Sequence, residues 1–170
     1  KWNNQTPVVY FEKLYGGKPL LKKINQLSLK ENLVFNSSMV DENNSAVWKL
    51  AGWEVIEKLN VLSLNLKSIK QSDIKVNNVE VFNNAKISEV LKLDHEIFDS
   101  YWQNSNAAFK ETIESCVHNY LFTQKANDET VGYGILGITR NYGFLQRFGI
   151  VKKHQNNGLG RDLLNNIVTF

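Results

Sequence analysis

The sequence predicts an α/β fold with a mixed sheet, and three observations in its second half predict it. Apolar, β-branched runs at 120–123, 131–139 and 144–151 are joined by short turns rich in Asn and Gly, which is typical of antiparallel strands. Apolar residues recur at helical spacing in 87–98 and 107–116. A polar loop with two glycines then separates the last strand from a final helical pattern. The predicted order is therefore β-α-α-β-β-β-loop-α, in which the last helix would be a crossover helix.

The first half of the chain shows weaker versions of the same signals. A strand is expected at 8–11, a helix from Pro19, and a buried strand at 33–35. A short helix should end at Gly52, and apolar residues then alternate over 54–66, which favours one long strand or a hairpin. The polar stretch that follows is the best candidate for a linker, and a strand at 79–82 opens the second half.

Composition limits the classes of function. The 170 residues are 42% apolar, enough for one domain or parts of two. A net charge of +3, with interleaved acids and bases, gives no reason to expect a nucleic-acid or membrane partner. Cys116 is the single cysteine, so neither an internal disulfide nor a cysteine-based metal site is expected. A reducing, cytoplasmic location fits this, no metal is predicted, and the oligomeric state stays open. The chain begins at Lys1 and stops inside a helical pattern, so we expect a fragment.

The glycine loop between Ile150 and the last helix has the chemistry of an anion site. Without Cβ atoms at Gly158 and Gly160, the backbone N–H groups can approach phosphate oxygens closely. A helix that begins near Leu159 adds the positive end of its dipole, beside which Arg161 is favourable only if an anion is bound. The dinucleotide and P-loop glycine patterns are both absent. A strand-to-helix turn without a ligand remains an alternative.

The pattern Gln155-x-x-Gly158-x-Gly160 resembles motif A of the GNAT superfamily of N-acetyltransferases. The triplet 148–150 lies where that family ends its fourth strand with apolar residues, and the resemblance extends over 79–170. Asn156 replaces a frequent first glycine, which is a mild change because asparagine tolerates left-handed backbone. A common proline of the family is also replaced, here by Lys152.

The resemblance implies a partial GNAT-like acyl-CoA N-acyltransferase fold and direct transfer of an acetyl group from acetyl-CoA to a primary amine. The acceptor would be a small molecule or a peptide. Acetyl-CoA would contact the strand end and the loop through Phe148, Gly149, Ile150, Gln155, Asn156, Asn157, Gly158, Leu159, Gly160 and Arg161. The alternative is a non-catalytic module that binds CoA or a partner protein.

Catalytic residues stay unassigned. The tyrosine that usually acts as the acid in this family would lie beyond Phe170, and proton removal also needs a base. The candidate bases are all interpreted as solvated surface groups, namely Glu80, Asp94, His95 and Glu96.

The acceptor side is expected at the aromatic corner between the first two helices of the second half. By analogy with the family, Tyr101 and Trp102 could form a wall of the acceptor site, and core packing is the alternative. One of Gln146 and Arg147 on the last strand could face the acceptor.

A repeat modifies the domain prediction. The pattern G-x-x-L-L-x-x-I occurs at 17–24 and again at 160–167. In the family, the helix that follows often carries a tyrosine four residues before a Gly-Phe pair, and Trp48 takes that place before Gly52-Trp53. Tyr15 falls where the second copy has Gly158, so the first loop looks inactive.

We therefore expect the middle of a tandem protein, similar in arrangement to mycothiol synthases. Residues 1–68 would be the C-terminal half of a degenerate first domain, 69–78 a linker, and 79–170 the N-terminal part of a second domain that binds acetyl-CoA. The less favoured alternative is that the two halves complete one sheet.

Overall fold

A computed structural model describes residues 9–10, 16–37, 39–65 and 76–170. The chain divides into two compact units, an N-terminal unit within Pro7–Leu64 and a C-terminal unit within Asn65–Phe170. Most of the predicted linker, 69–75, lies outside the described residues, as does Tyr15.

The N-terminal unit contains a parallel pair of short strands connected by a helix. Its elements are β1 (Val9–Tyr10), α1 (Gly17–Glu31), β2 (Phe35–Asn36) and α2 (Ser45–Lys49). Leu21 on α1 and Ala51 after α2 are buried. The indole Nε1–H of Trp53 donates to the Leu21 carbonyl at 3.1 Å, which links the segment after α2 to α1.

Two strand predictions for this unit are wrong. Described residues 54–65 form no strand, and Val61 and Leu62 are 85% and 90% exposed. Leu33 and Val34 are also exposed, because the strand begins only at Phe35. A strand requires a neighbour for its backbone N–H and C=O groups, and among the described residues no strand pairs with 54–65. An alternating pattern alone supplies no such partner.

The C-terminal unit has the predicted element order. Its strands are β3 (Val79–Val81), β4 (His118–Ala126), β5 (Glu129–Ile138) and β6 (Gly143–Ile150), and its helices are α3 (Ile87–Ile97), α4 (Asn106–Glu114) and α5 (Leu159–Thr169). The strands pair in the order β3-β4-β5-β6, each antiparallel to the next. Asn127 and Asp128 form the β4–β5 turn with φ of 49° and 64°, as a two-residue hairpin of this type requires. The predicted mixed α/β fold is confirmed.

Helices cover both faces of this sheet. On one face, Val90 of α3 and Phe109 of α4 pack against Leu121, Tyr133 and Ile135. On the other face, the α5 side chains pack against the next residue of β4 and the end of β6, in the cluster Phe122, Ile150, Leu163 and Ile167. Adjacent strand residues point to opposite faces, so β4 and β5 contribute to both cores.

Strand β6 is irregular and lies at the edge of the sheet. Ile135 pairs with Arg147, but Leu136 pairs with Leu145, so Gln146 is an extra residue in a β-bulge. Among the described residues, no strand pairs with the outer edge of β6. Its outward-pointing backbone groups therefore have no ladder partner in the described part of the chain.

Gly132 is a close-contact position that tests this packing. A Cβ atom there would lie 2.3 Å from Ile150 Cδ1 and 2.9 Å from the carbonyl oxygen of Gly149. Because the carbonyl belongs to the paired strand, we expect Gly132→Ala to destabilise the unit by about 1–3 kcal/mol. Thermal unfolding should show a lower Tm than for Gly143→Ala, where the nearest atom is the flexible Leu136 Cδ1 at 3.3 Å. Equal Tm values for the two variants would contradict the prediction.

Candidate functional site

The loop between β6 and α5 uses left-handed backbone at two positions. After Ile150 the chain makes a 3₁₀ turn over Lys152–His154 and then reaches Asn156, with φ of 63°, and Gly158, with φ of 82°. Asparagine and glycine are the residues that adopt this conformation at least cost. The helix begins at Leu159, as predicted.

The N-terminus of α5 is open. Its N-cap residue is Gly158, and no side chain caps the first turn, whereas Ser105 Oγ caps α4 by accepting from the Ala108 N–H at 3.2 Å. The first-turn N–H groups of a helix have no acceptors within the helix. A Cβ atom on Gly158 would lie 3.5 Å from the Arg161 guanidinium and would meet no other heavy atom within 4 Å, so there is space at the N-cap position. The geometry suits a phosphate oxygen.

Gln155 and Arg161 occupy different positions in this loop. Gln155 Nε2 donates to the carbonyl of Ile150 at 2.8 Å, so this side chain holds the loop against the end of β6. The side chain of Arg161 is 78% exposed and lies 3.7 Å from Asp162, a weak surface pair. Its guanidinium therefore remains accessible to a bound anion. Asn157 is exposed as well.

The end of β6 supplies backbone groups next to the loop. Gly149 points toward α3, where a Cβ atom would lie 2.4 Å from Ile97 Cγ2, whereas Phe148 and Ile150 pack with α5. The Val151 N–H donates to the Val131 carbonyl at 2.8 Å. Because inward and outward N–H groups alternate along an antiparallel strand, those of Phe148 and Ile150 point away from β5. These two groups are candidate donors to a ligand along the open edge.

A buried polar cluster lies on the opposite side of β6 from α5. Asp94 and Tyr133 are both 0% exposed. Asp94 Oδ1 accepts from the Tyr133 hydroxyl at 2.5 Å and from Arg147 Nε at 2.8 Å. Burial, and next the charge of Asp94, raise the pKa of Tyr133 well above its usual range.

The interpretation of Asp94 as a solvated carboxylate is therefore wrong, because in the folded chain this side chain is buried, Arg147 compensates its charge, and Tyr133 donates a hydrogen bond to it. His95 and Glu96 are exposed, as predicted. Glu80 forms a partly exposed ion pair with Lys86 at 2.7 Å.

Tyr101 and Trp102 lie in the segment between α3 and α4. Both are half-buried, their rings meet edge to face with centroids 5.1 Å apart, and their backbone N–H groups donate to Asp99 Oδ1. Neither side chain belongs to the two buried clusters of the described core. Their backbone is tied to β6, because Arg147 Nη2 donates to the Trp102 carbonyl at 2.5 Å.

A cleft of about 640 Å³ lies between α4 and the first part of β6, and we refer to it as the α4–β6 cleft. Gln146 and Arg147 both line this cleft, and that one of them faces the acceptor stays a prediction. Glu111, Ser115 and Cys116 line it as well and were missed by the sequence analysis. The sequence signal that could have identified them is the spacing of Glu111 and Ser115, because side chains four residues apart lie on one face of a helix.

The described ranges contain no group of three or more His, Cys, Asp or Glu side chains arranged to hold a metal ion. None of the helices seen there has both the length and the apolar character that spanning a bilayer requires.

The C-terminal part of the chain matches a known protein family. The family model for the acetyltransferase (GNAT) domain matches residues 73–170. Among solved structures, the crystal structure of the ribosomal-protein-S18-alanine N-acetyltransferase from Escherichia coli is similar, with 16% sequence identity and a TM-score of 0.42. That match covers 52% of this chain and 55% of the solved chain, so the chain spans about half the length of that protein. A search among curated proteins found no match. Because the family model covers more than half of the chain, including β6, the glycine loop and α5, the chain belongs to the GNAT acetyltransferase family.

Proposed function

We propose that the protein transfers an acetyl group from acetyl-CoA to a primary amine. The observation that carries this proposal is the open, glycine-capped N-terminus of α5 directly after the edge strand β6, inside a GNAT domain. The pyrophosphate of CoA would bind the first-turn N–H groups, with Arg161 beside it. The pantetheine arm would lie along the open edge of β6.

The chemistry is a direct attack. The amine nitrogen attacks the thioester carbonyl carbon, and an outward N–H at Phe148 or Ile150 would stabilise the resulting oxyanion. The C–S bond then breaks, a base removes the proton from the nitrogen, and an acid protonates the CoA thiolate. The α4–β6 cleft lies beside the same strand and offers room for the amine.

We also propose that the chain carries two related units, of which only the second binds acetyl-CoA. The first copy of the repeat pattern begins at Gly17 in α1, and this helix joins the parallel strands β1 and β2. The second copy begins at Gly160 in α5, which also follows a strand, β6. The same strand-to-helix order at both copies supports this arrangement. Titration calorimetry should then give one acetyl-CoA site per chain rather than two. A stoichiometry of two would contradict the proposal that the first unit is degenerate.

The test of the activity combines binding with turnover. Acetyl-CoA would be titrated into the protein, and acetylated product would be measured by mass spectrometry with L-alanine amide, spermidine, tyramine and kanamycin as probe amines. Binding together with an acetylated amine is the expected result. Absence of binding would favour a protein-interaction module, and binding without turnover would favour a CoA sensor.

A further inference from the structure

We infer that Arg147 is a positioning residue that holds the acceptor side of the site against β6. One guanidinium connects three parts of the C-terminal unit. Its Nε donates to Asp94 of α3 at 2.8 Å, and its Nη2 donates to the Trp102 carbonyl in the segment between α3 and α4. Its own backbone belongs to β6, next to the bulge at Gln146. We call the segment 98–104 the α3–α4 loop.

The cluster is built to hold the guanidinium in one orientation. The Arg147 side chain is only 14% exposed, and its Cζ lies 3.6 Å from the centroid of the Phe98 ring. The second oxygen of Asp94 accepts from the backbone N–H of Asn104 at 2.8 Å. Both carboxylate oxygens are thus engaged, and a planar guanidinium between a carboxylate, a carbonyl and a ring has little freedom to rotate.

The ion pair does more than the stability of the fold requires. Asp94 already connects α3 to β5 through Tyr133 and to the α3–α4 loop through Asn104. A well-packed apolar pair at positions 94 and 147 would often be as stable as a buried ion pair. What Arg147 adds is a bond from β6 to the α3–α4 loop, across the place where both line the α4–β6 cleft.

The hydrogen bond from Arg147 to the Trp102 carbonyl lies next to the proposed thioester site. Arg147 directly precedes Phe148–Ile150, the strand end proposed to hold the thioester. The α3–α4 loop lines the α4–β6 cleft through Asn104, and Tyr101 and Trp102 in the same loop are the residues that the sequence predicts as a wall of the acceptor site. This inference rests on the proposed acetyl transfer. It states that Arg147 sets the distance between the acetyl group and the bound amine. The loop and strand would separate without it, and the acceptor would bind less tightly, whereas the phosphate cradle at α5 would be unchanged.

The test uses the double variant Asp94→Asn with Arg147→Met, which removes both charges and leaves neither one buried alone. With the fastest amine of the probe panel, we expect the acceptor KM to rise by about tenfold or more, with a much smaller change in kcat. The Kd for acetyl-CoA should stay at the wild-type value. The single variant Arg147→Lys keeps the charge but loses the planar fork, so its KM should be intermediate.

The matched control is Lys86→Met, which breaks the Glu80 ion pair at the start of α3, away from the cleft. It should leave the acceptor KM unchanged. An independent readout is hydrogen exchange, in which the backbone amides of Trp102 and Gln103 should exchange faster in the double variant than in the control.

An unchanged acceptor KM in the folded double variant would overturn the inference, as would unchanged exchange in the α3–α4 loop. If the wild-type protein does not bind acetyl-CoA, the proposed function fails instead. The exchange measurement still decides in that case whether Arg147 holds the loop.

Discussion

Replacing Gly158 with valine is expected to raise the Kd for acetyl-CoA by at least about tenfold, a loss of about 1.4 kcal/mol. Gly158 has a φ of 82°, which a β-branched residue adopts only with strain. The nearest atom to an added Cβ is Nη2 of the exposed Arg161 side chain at 3.5 Å, so the valine side chain has room, but it adds bulk and backbone strain directly before the first turn of α5. Calorimetry with acetyl-CoA measures the change.

Gly17→Val is the matched control for this variant. Gly17 also has a positive φ, 57°, at the start of a helix, and an added Cβ would meet nothing within 4 Å. It lies in the unit that is proposed not to bind acetyl-CoA, so its Kd should equal that of the wild type. A wild-type Kd for Gly158→Val would rule out the phosphate cradle.

Arg161→Gln provides a second test that leaves the backbone of the loop intact. Because this side chain is 78% exposed, its loss should not affect folding. It should weaken acetyl-CoA binding and reduce the dependence of the Kd on salt concentration, since one charge no longer contacts the phosphates. An unchanged salt dependence would show that Arg161 does not contact the anion.

Replacing Arg147 alone with methionine is expected to destabilise the C-terminal unit by about 3–5 kcal/mol. Asp94 is 0% exposed, and the substitution leaves its charge buried without the cation. The hydroxyl of Tyr133 and the N–H of Asn104 would still donate to it, but neither carries a positive charge. Native-state hydrogen exchange of the Tyr133 and Ile135 amides in β5 measures the free energy of opening of this unit.

The double variant Asp94→Asn with Arg147→Met separates the charge from the packing. It should recover most of the lost stability, because no uncompensated charge remains in the core. Lys86→Met should have a smaller effect than Arg147→Met, since its ion pair with Glu80 is partly open to solvent. Wild-type stability of Arg147→Met would show that Asp94 needs no cation.

Elements with local signals at both ends could be predicted from the sequence. The β4–β5 hairpin is an example, because Asn127-Asp128 provides the positive φ values that a two-residue turn requires between two apolar runs. The start of α5 is another, since Gly158 and the apolar pattern after it mark the boundary within one turn of the chain. Residues 54–65 show the limit, because their alternation had no strand to pair with among the described residues.

The candidate site also has one part that the sequence predicts and one part that it does not. The sequence by itself determined the glycine loop, the strand before it and the helix after it, and so the family resemblance, because these residues are contiguous and their conformations depend on local backbone preferences. Only the tertiary structure decided the partners of Asp94, which lie 39 and 53 positions along the chain at Tyr133 and Arg147. It also decided which face of α4 meets β6 to form the cleft. Whether a charge is solvated or buried depends on which distant strands pack against it, and no local pattern encodes that.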